Sequence, residues 1–202
     1  MISDFTILII IGTAILSIPA FSNTQLMNSL IFNPYTIKNR NEWYRFISSG
    51  FLHADWMHLF INMFVLFSFG NVVQHYYDYF FGSSGKWFYL LLYLSSIVAA
   101  NATTYYKNFN NPGYNALGAS GAVSAVVFAS ILFQPTAKIY LYGLIGIPGF
   151  IAGILYLAYS QYASGKGTDN VNHEAHLYGA IYGLAFTLVL KPSVFKFFLN
   201  QF

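Results

Sequence analysis

Six stretches of this chain, about 5–21, 53–74, 86–104, 118–134, 138–160 and 173–190, are long, apolar and almost free of charge. The few charged residues within them, Asp55, Lys86, Lys138 and Glu174, stand near their starts. A backbone buried in hydrocarbon must satisfy its own hydrogen bonds, and a helix of about 20 apolar residues does so while crossing a bilayer. The pattern therefore predicts an all-α membrane protein, a bundle of six transmembrane helices. Only 7% of the residues are charged, whereas soluble domains carry roughly 25%. Six spans and their connections take up the 202 residues, so the chain reads as a single integral membrane domain without a separate soluble one. The first run is preceded by Asp4 and lacks the positive flank of a cleaved signal peptide, so it reads as a span.

The net charge of +3 is small and scattered, which argues against nucleic acid as a partner and against a polybasic lipid-binding tract. No cysteine is present, which excludes disulfides, thiolate metal sites and cysteine nucleophiles. Residues 22–49 form a long connection that keeps Leu26, Met27, Leu30, Ile31, Phe32 and Phe46, and it is expected to lie half in lipid. Its Trp43, Tyr44 and Arg45 suit the headgroup level, where amphipathic rings and a long cation keep one end wet. Basic residues do not orient the bundle: Lys86, Lys138, Lys191 and Lys196 fall on one side, and Lys38, Arg40, Arg45, Lys107 and Lys166 on the other.

Chemistry is suggested where polar residues interrupt the apolar runs. Ser120 opens the fourth run within Gly118-Ala119-Ser120-Gly121, flanked by residues too small to shield it. A serine hydroxyl is a weak nucleophile unless a base lies within hydrogen-bond reach. His176 is the candidate base, with Gly179 and Gly183 on its own helical face, where another helix can approach closely. Gly121 and Ala125 offer a matching small face. Each stretch alone also reads as ordinary small-residue packing between membrane helices. His58 and Asn62, at i and i+4, share a face of the second span and read either as part of a polar site or as a hydrogen-bonded helix clasp. His53 reads as support for the preceding loop, and His75 to Asp78 as a short connection without chemistry. The loop 108–115 delivers the chain to Ser120 near a helix N-terminus, where free backbone N–H groups and the helix dipole favour a developing oxyanion. None of the six carboxylates lies in a span on the His176 face, and Glu174 points elsewhere, so nothing evident completes a triad. Gly146-Ile147-Pro148-Gly149 should kink the fifth span in mid-membrane, either statically or as a hinge. The polar residues 161–171 follow it, with Gly165, Lys166, Gly167 and Asp169.

His58 and Asn62 as HxxxN, Gly118 to Gly121 as GxSG, and Ala175-His176 followed by Gly179 and Gly183 together resemble the rhomboid family of intramembrane serine proteases. Order and spacing match across about residues 40–187, and Trp43 with Arg45 resembles that family's first-loop pair. The resemblance implies a bacterial-type six-span core, with both termini cytoplasmic and an active site below the outer membrane surface. It implies a multi-pass protein of a bacterial inner membrane that cleaves transmembrane protein substrates near that surface, often after a small residue. Ser120 is then the nucleophile and His176 the base, while His58, Asn62 and the backbone of Ser120 form the oxyanion site and Gly118 is a further contributor. No cofactor and no metal is required.

Two positions depart from that pattern. Ser124 stands where many members place an aromatic ring over the catalytic histidine, so the orientation of His176 must come from Ser124 itself or from Tyr178. Gln74 stands where many have a glutamate that steadies the loop arginine, and Glu42 is the candidate substitute. Other classes fit less well. His173-Glu174-Ala175-His176 has its histidines at i and i+3, not the i and i+4 of a metalloprotease helix. A transporter would show repeated halves, and none is visible. A catalytically inactive rhomboid-like binding module is the nearest alternative, although such a chain should lack Ser120 or His176.

Overall fold

A computed structural model of the chain describes residues 4–141, 144–164, 166 and 171–202. Helix α1, Asp4–Ala20, turns Thr6, Thr13 and Ser17 inward as its buried polar stripe, and small side chains of this kind let membrane helices approach closely. Thr6 Oγ1 donates to the Tyr89 hydroxyl at 3.0 Å, and Ser17 Oγ donates to the Phe51 carbonyl at 2.8 Å. The interfacial connection then folds into three short helices, α2 (Thr24–Leu30), α3 (Pro34–Arg40) and α4 (Arg45–Ser48). Asn23 and Asn33 start the first two, each side-chain oxygen accepting a first-turn N–H. Buried Arg45 binds the connection together, donating to Glu42 at 2.6 Å and to the carbonyls of Asn28 and Ile31 at 2.8 and 2.9 Å. Glu42 therefore supplies the charge that Gln74 lacks. Gln74 lies 12 residues beyond Asn62 on the next helix, about 18 Å along its axis.

That helix, α5 (Trp56–Phe81), is capped by Asp55, and α6 is Gly85–Asn108. Residues 75–78 are helical rather than a connection, and Tyr77 is fully buried, its hydroxyl 2.7 Å from Thr187 Oγ1. The short connection expected after residue 74 does not form there because Val73 and Tyr77, at i and i+4, continue one buried stripe of the helix. Between the two helices Gly82 takes a left-handed φ of 59°, and the chain doubles back. Phe81 packs on Phe88 at 4.8 Å between centroids, and a methyl group built on Gly50, just before α5, would strike Ile97 in α6.

Helix α7, Ser120–Phe133, is the centre of the bundle: every residue is buried except Ser120 and Val127. A helix apolar on all sides belongs in a core, which explains the lack of any polar face. The stretch 138–160 is not one kinked helix. Strands β1 (Lys138–Leu141) and β2 (Ile145–Pro148) form an antiparallel hairpin, and helix α8 begins only at Gly149 and ends at Ser164. Pro148 thus closes a strand and precedes the helix, so it breaks nothing in mid-membrane. Of the expected loop 161–171, residues 161–164 belong to α8, while Gly165, Gly167 and Asp169 lie outside the described residues. Helix α9 is His173–Leu190, and the tail forms a further short helix, α10, Ser193–Leu199.

Helix α9 lies directly on α7. A methyl group on Gly179 would overlap the Gly121 carbonyl, and one on Gly183 would overlap the Ala125 carbonyl. Backbone therefore meets backbone, which only glycine permits. Among the described residues, Trp56–Asn108 is the helical stretch long and apolar enough to cross a membrane, joined by α9 and α10 if that pair, bent by 113°, is one span. Helices α1 and α7 are apolar but shorter.

Candidate active site

The loop ahead of Ser120 is held by the interfacial connection. Phe32 and Ala116 exchange both backbone hydrogen bonds at 3.0 Å. The Asn33 amide donates to the carbonyls of Pro112 and Tyr114 at 3.1 Å, and the Gly118 N–H donates to the Ser49 carbonyl at 3.0 Å. Gly118 has φ 119°, a conformation that side chains disfavour. Ser120 is then the first residue of α7, where the helix offers N–H groups without intrahelical partners.

His176 stands in the first turn of α9, which Asn172 starts by accepting the Ala175 N–H at 3.0 Å. Asn172 Nδ2 also donates to Thr104 Oγ1 at 3.1 Å, and Glu174 pairs with Lys107 at 2.7 Å, so the start of α9 is tied to the end of α6. With the glycine seam below, these contacts place His176 Nε2 2.7 Å from Ser120 Oγ. For the serine hydroxyl to donate across that distance, Nε2 must be unprotonated, so a neutral His176 carries its proton on Nδ1. Glu174 is engaged with Lys107, and His173 meets the His176 ring edge-on at 6.0 Å.

A ring from another helix lies beside His176, a neighbour that local spacing did not reveal. Tyr156, on α8, lies nearly parallel to the imidazole, at 6.4 Å between centroids and 20° between planes. Its hydroxyl is 2.7 Å from Ser124 Oγ, one turn after the serine on α7. Ser124 thus meets the tyrosine, while Tyr178 is 38% exposed.

His58 and Asn62 share the first turns of α5. The Asn62 amide donates to the His58 carbonyl at 2.9 Å, and the Ala54 N–H reaches His58 Nδ1 at 3.5 Å, which leaves the His58 proton on Nε2. A methyl group on Gly118 would fall 3.0 Å from His58 Nε2 and 3.8 Å from Ser120 Oγ. These groups therefore border one small space that Gly118 keeps open. The Gly118 N–H itself is taken up by Ser49, so this glycine contributes room rather than a donor. His53, read in sequence as support for the loop, is fully buried against His58, with ring centroids 4.9 Å apart and Nδ1 2.9 Å from Ser17 Oγ. Because the Ser17 hydroxyl donates to Phe51, it accepts from His53, which carries its proton on Nδ1. A polar cavity of about 20 Å³ adjoins Ser120, lined by Ser49, Asn101, Gly118 and Asn172 among others. That is room for about one water molecule.

A family model described as a rhomboid domain matches residues 40–193, a span that contains His58, Asn62, Gly118, Ser120, Tyr156 and His176. The chain belongs to the rhomboid family. It is a predominantly helical, integral membrane protein. It is 25% identical over 185 residues to RHOMBOID-like protein 12, mitochondrial, of Arabidopsis thaliana, a match covering 88% of this chain and 55% of that protein. It is 30% identical over 169 residues to Rhomboid-like protein 11, chloroplastic, of the same plant, covering 78% and 56% respectively. This rhomboid chain spans about half the length of the curated relatives it matches. Their names place both relatives in organelles, so the expectation of a bacterial cell membrane gains no support from them.

Proposed function

We propose that the protein is an intramembrane serine endopeptidase of six spans that hydrolyses peptide bonds in or near transmembrane segments of other proteins. The observation that carries this reading is the 2.7 Å approach of His176 Nε2 to Ser120 Oγ. In the proposed reaction, Ser120 Oγ attacks the substrate carbonyl carbon while its proton passes to His176 Nε2. The resulting oxyanion is met by the Ser120 backbone N–H, the Asn62 amide and His58 Nε2–H. Collapse expels the amine, which takes the proton back from His176, and water then cleaves the acyl-serine by the same route. A serine and histidine within hydrogen-bond reach weigh against an inactive binding module.

Helix lengths support a buried site. The 14 residues of α7 reach about 21 Å, against a hydrocarbon core of about 30 Å, so a helix ending at one surface begins well inside the other. Ser120 would stand at that depth, and the polar residues around it would line a water-filled recess. Helix α8 is the proposed wall through which substrates pass from lipid: Gly149, Gly153 and Ser160 are its buried residues, and Ile154, Leu155, Tyr159 and Tyr162 are more than half exposed.

The test is purified protein in detergent with single-span substrates, cut sites being mapped by mass spectrometry. Ser120→Ala and His176→Ala should each abolish cleavage without unfolding the protein, because the two groups act as a unit. A fluorophosphonate probe should label Ser120. Undiminished cleavage by Ser120→Ala, or labelling of another serine, would overturn the assignment.

A further inference from the structure

Tyr156 bridges the two helices that carry Ser120 and His176 from a third. Its hydroxyl meets Ser124 on α7 at 2.7 Å, its ring packs against Phe128 at 5.7 Å, and the same ring lies beside the His176 imidazole on α9. A tyrosine that merely faced lipid would turn its hydroxyl outward to the headgroups. This one turns inward to a serine that is 6% exposed. The imidazole hangs from α9 by two rotatable bonds, and the bond to Ser120 survives only a narrow range of ring rotation. His173 borders the ring edge-on, and the Tyr156 ring lies alongside it, 20° from parallel at 6.4 Å between centroids.

We infer that Tyr156 is a positioning residue for His176 and that, because α8 carries it, the alignment of the Ser120–His176 pair depends on α8 being seated against α7 and α9. This rests on the reading of Ser120 and His176 as nucleophile and base. It has a consequence for the order of events. A substrate that displaces α8 on its way in removes the ring from His176, so the chemical step follows the return of α8. The hydroxyl bond to Ser124 holds the ring at the height of the imidazole, and Gly153, against Ile131 and Phe128, lets α8 approach α7 closely enough for that bond.

The test uses the full chain in detergent with isotopically labelled histidine, the His176 resonance being assigned by its loss in His176→Gln. In Tyr156→Ala the His176 ring signals should shift and broaden, and Tyr156→Phe, which keeps the ring but loses its bond to Ser124, should shift them less. Turnover in Tyr156→Ala should fall by roughly 10²-fold, as expected for a reacting group displaced by about 1 Å. KM should stay within about twofold, because substrate binding is not what is lost. Adding Ser124→Phe to Tyr156→Ala should restore part of the turnover, since position 124 lies one turn after Ser120 and a ring there can fill the vacated space. If Tyr156→Ala does not fold, Tyr156→Leu, which keeps apolar bulk without a flat face, should show the same loss. Unchanged His176 signals in a folded Tyr156→Ala or Tyr156→Leu protein would overturn the inference while leaving the protease reading intact. A wild-type protein that neither cleaves nor labels, yet shows Tyr156-dependent His176 signals, would do the opposite.

Discussion

Asn62 has an amide with two N–H groups, and the helix uses one of them. Its bond to the His58 carbonyl is an i to i+4 contact within one helix, and the proposed oxyanion role rests on the second N–H. If the oxyanion role holds, Asn62→Ala should lower kcat by roughly 10²-fold with little change in KM and a small change in thermal midpoint. A loss of midpoint with turnover intact would make Asn62 a clasp alone. Ser120, His176, His58 and Asn62 were legible in the sequence because a polar residue in an apolar run is costly and therefore noticeable. Tyr156 was not. It is one of 17 tyrosines, and its partners lie on two other helices, so nothing in the spacing of its own helix marks it.

At the scale of elements, the helices most visible in the sequence were those whose apolar run and caps coincide. Asn172 and Lys191 bracket α9 in sequence as they do in space. The stretch 138–160 misled because an apolar run does not distinguish a buried helix from a short hairpin followed by a helix. Ile139, Tyr140, Ile145 and Ile147 are β-branched or aromatic, which favours strands, and Pro148 stops the ladder where α8 starts. The correction moves any hinge from mid-helix to the junction at Gly149. There Phe150 packs on Phe202 at 5.0 Å, away from the reacting pair. Phe150→Ala should therefore loosen the start of α8 and speed cleavage of a membrane-embedded substrate severalfold if opening limits the rate, leaving a soluble unfolded substrate unaffected. Comparing initial rates for the two substrates checks this, and equal changes would place the gate in another helix. Tyr156→Ala, which acts on His176, should instead slow both substrates.

The whole molecule depends on a clamp in the connection between α1 and α5. Arg45 gathers Glu42 and the carbonyls of Asn28 and Ile31, and the segment it organises holds the loop before Ser120 through Phe32, Asn33 and Ser49. A cation at the end of α2 also suits that helix's dipole. The Arg45 hydrogen bond holds the Glu42 carboxyl below its ordinary value, against a smaller opposing effect of burial. A carboxyl with a depressed folded-state pKa stabilises the fold above its unfolded value, near 4.3, and loses that contribution as the pH falls through the lower folded value. Thermal midpoints in detergent should therefore show wild type more stable than Glu42→Gln at pH ~7, with the gap closing as the pH falls below the unfolded carboxyl value. Labelling of Ser120 by a fluorophosphonate, followed over the same range, should weaken along with the clamp, because the loop that carries Gly118 is released from Ser49. Parallel acid profiles for the two proteins would show that the two carbonyl bonds of Arg45 hold the connection without the carboxylate.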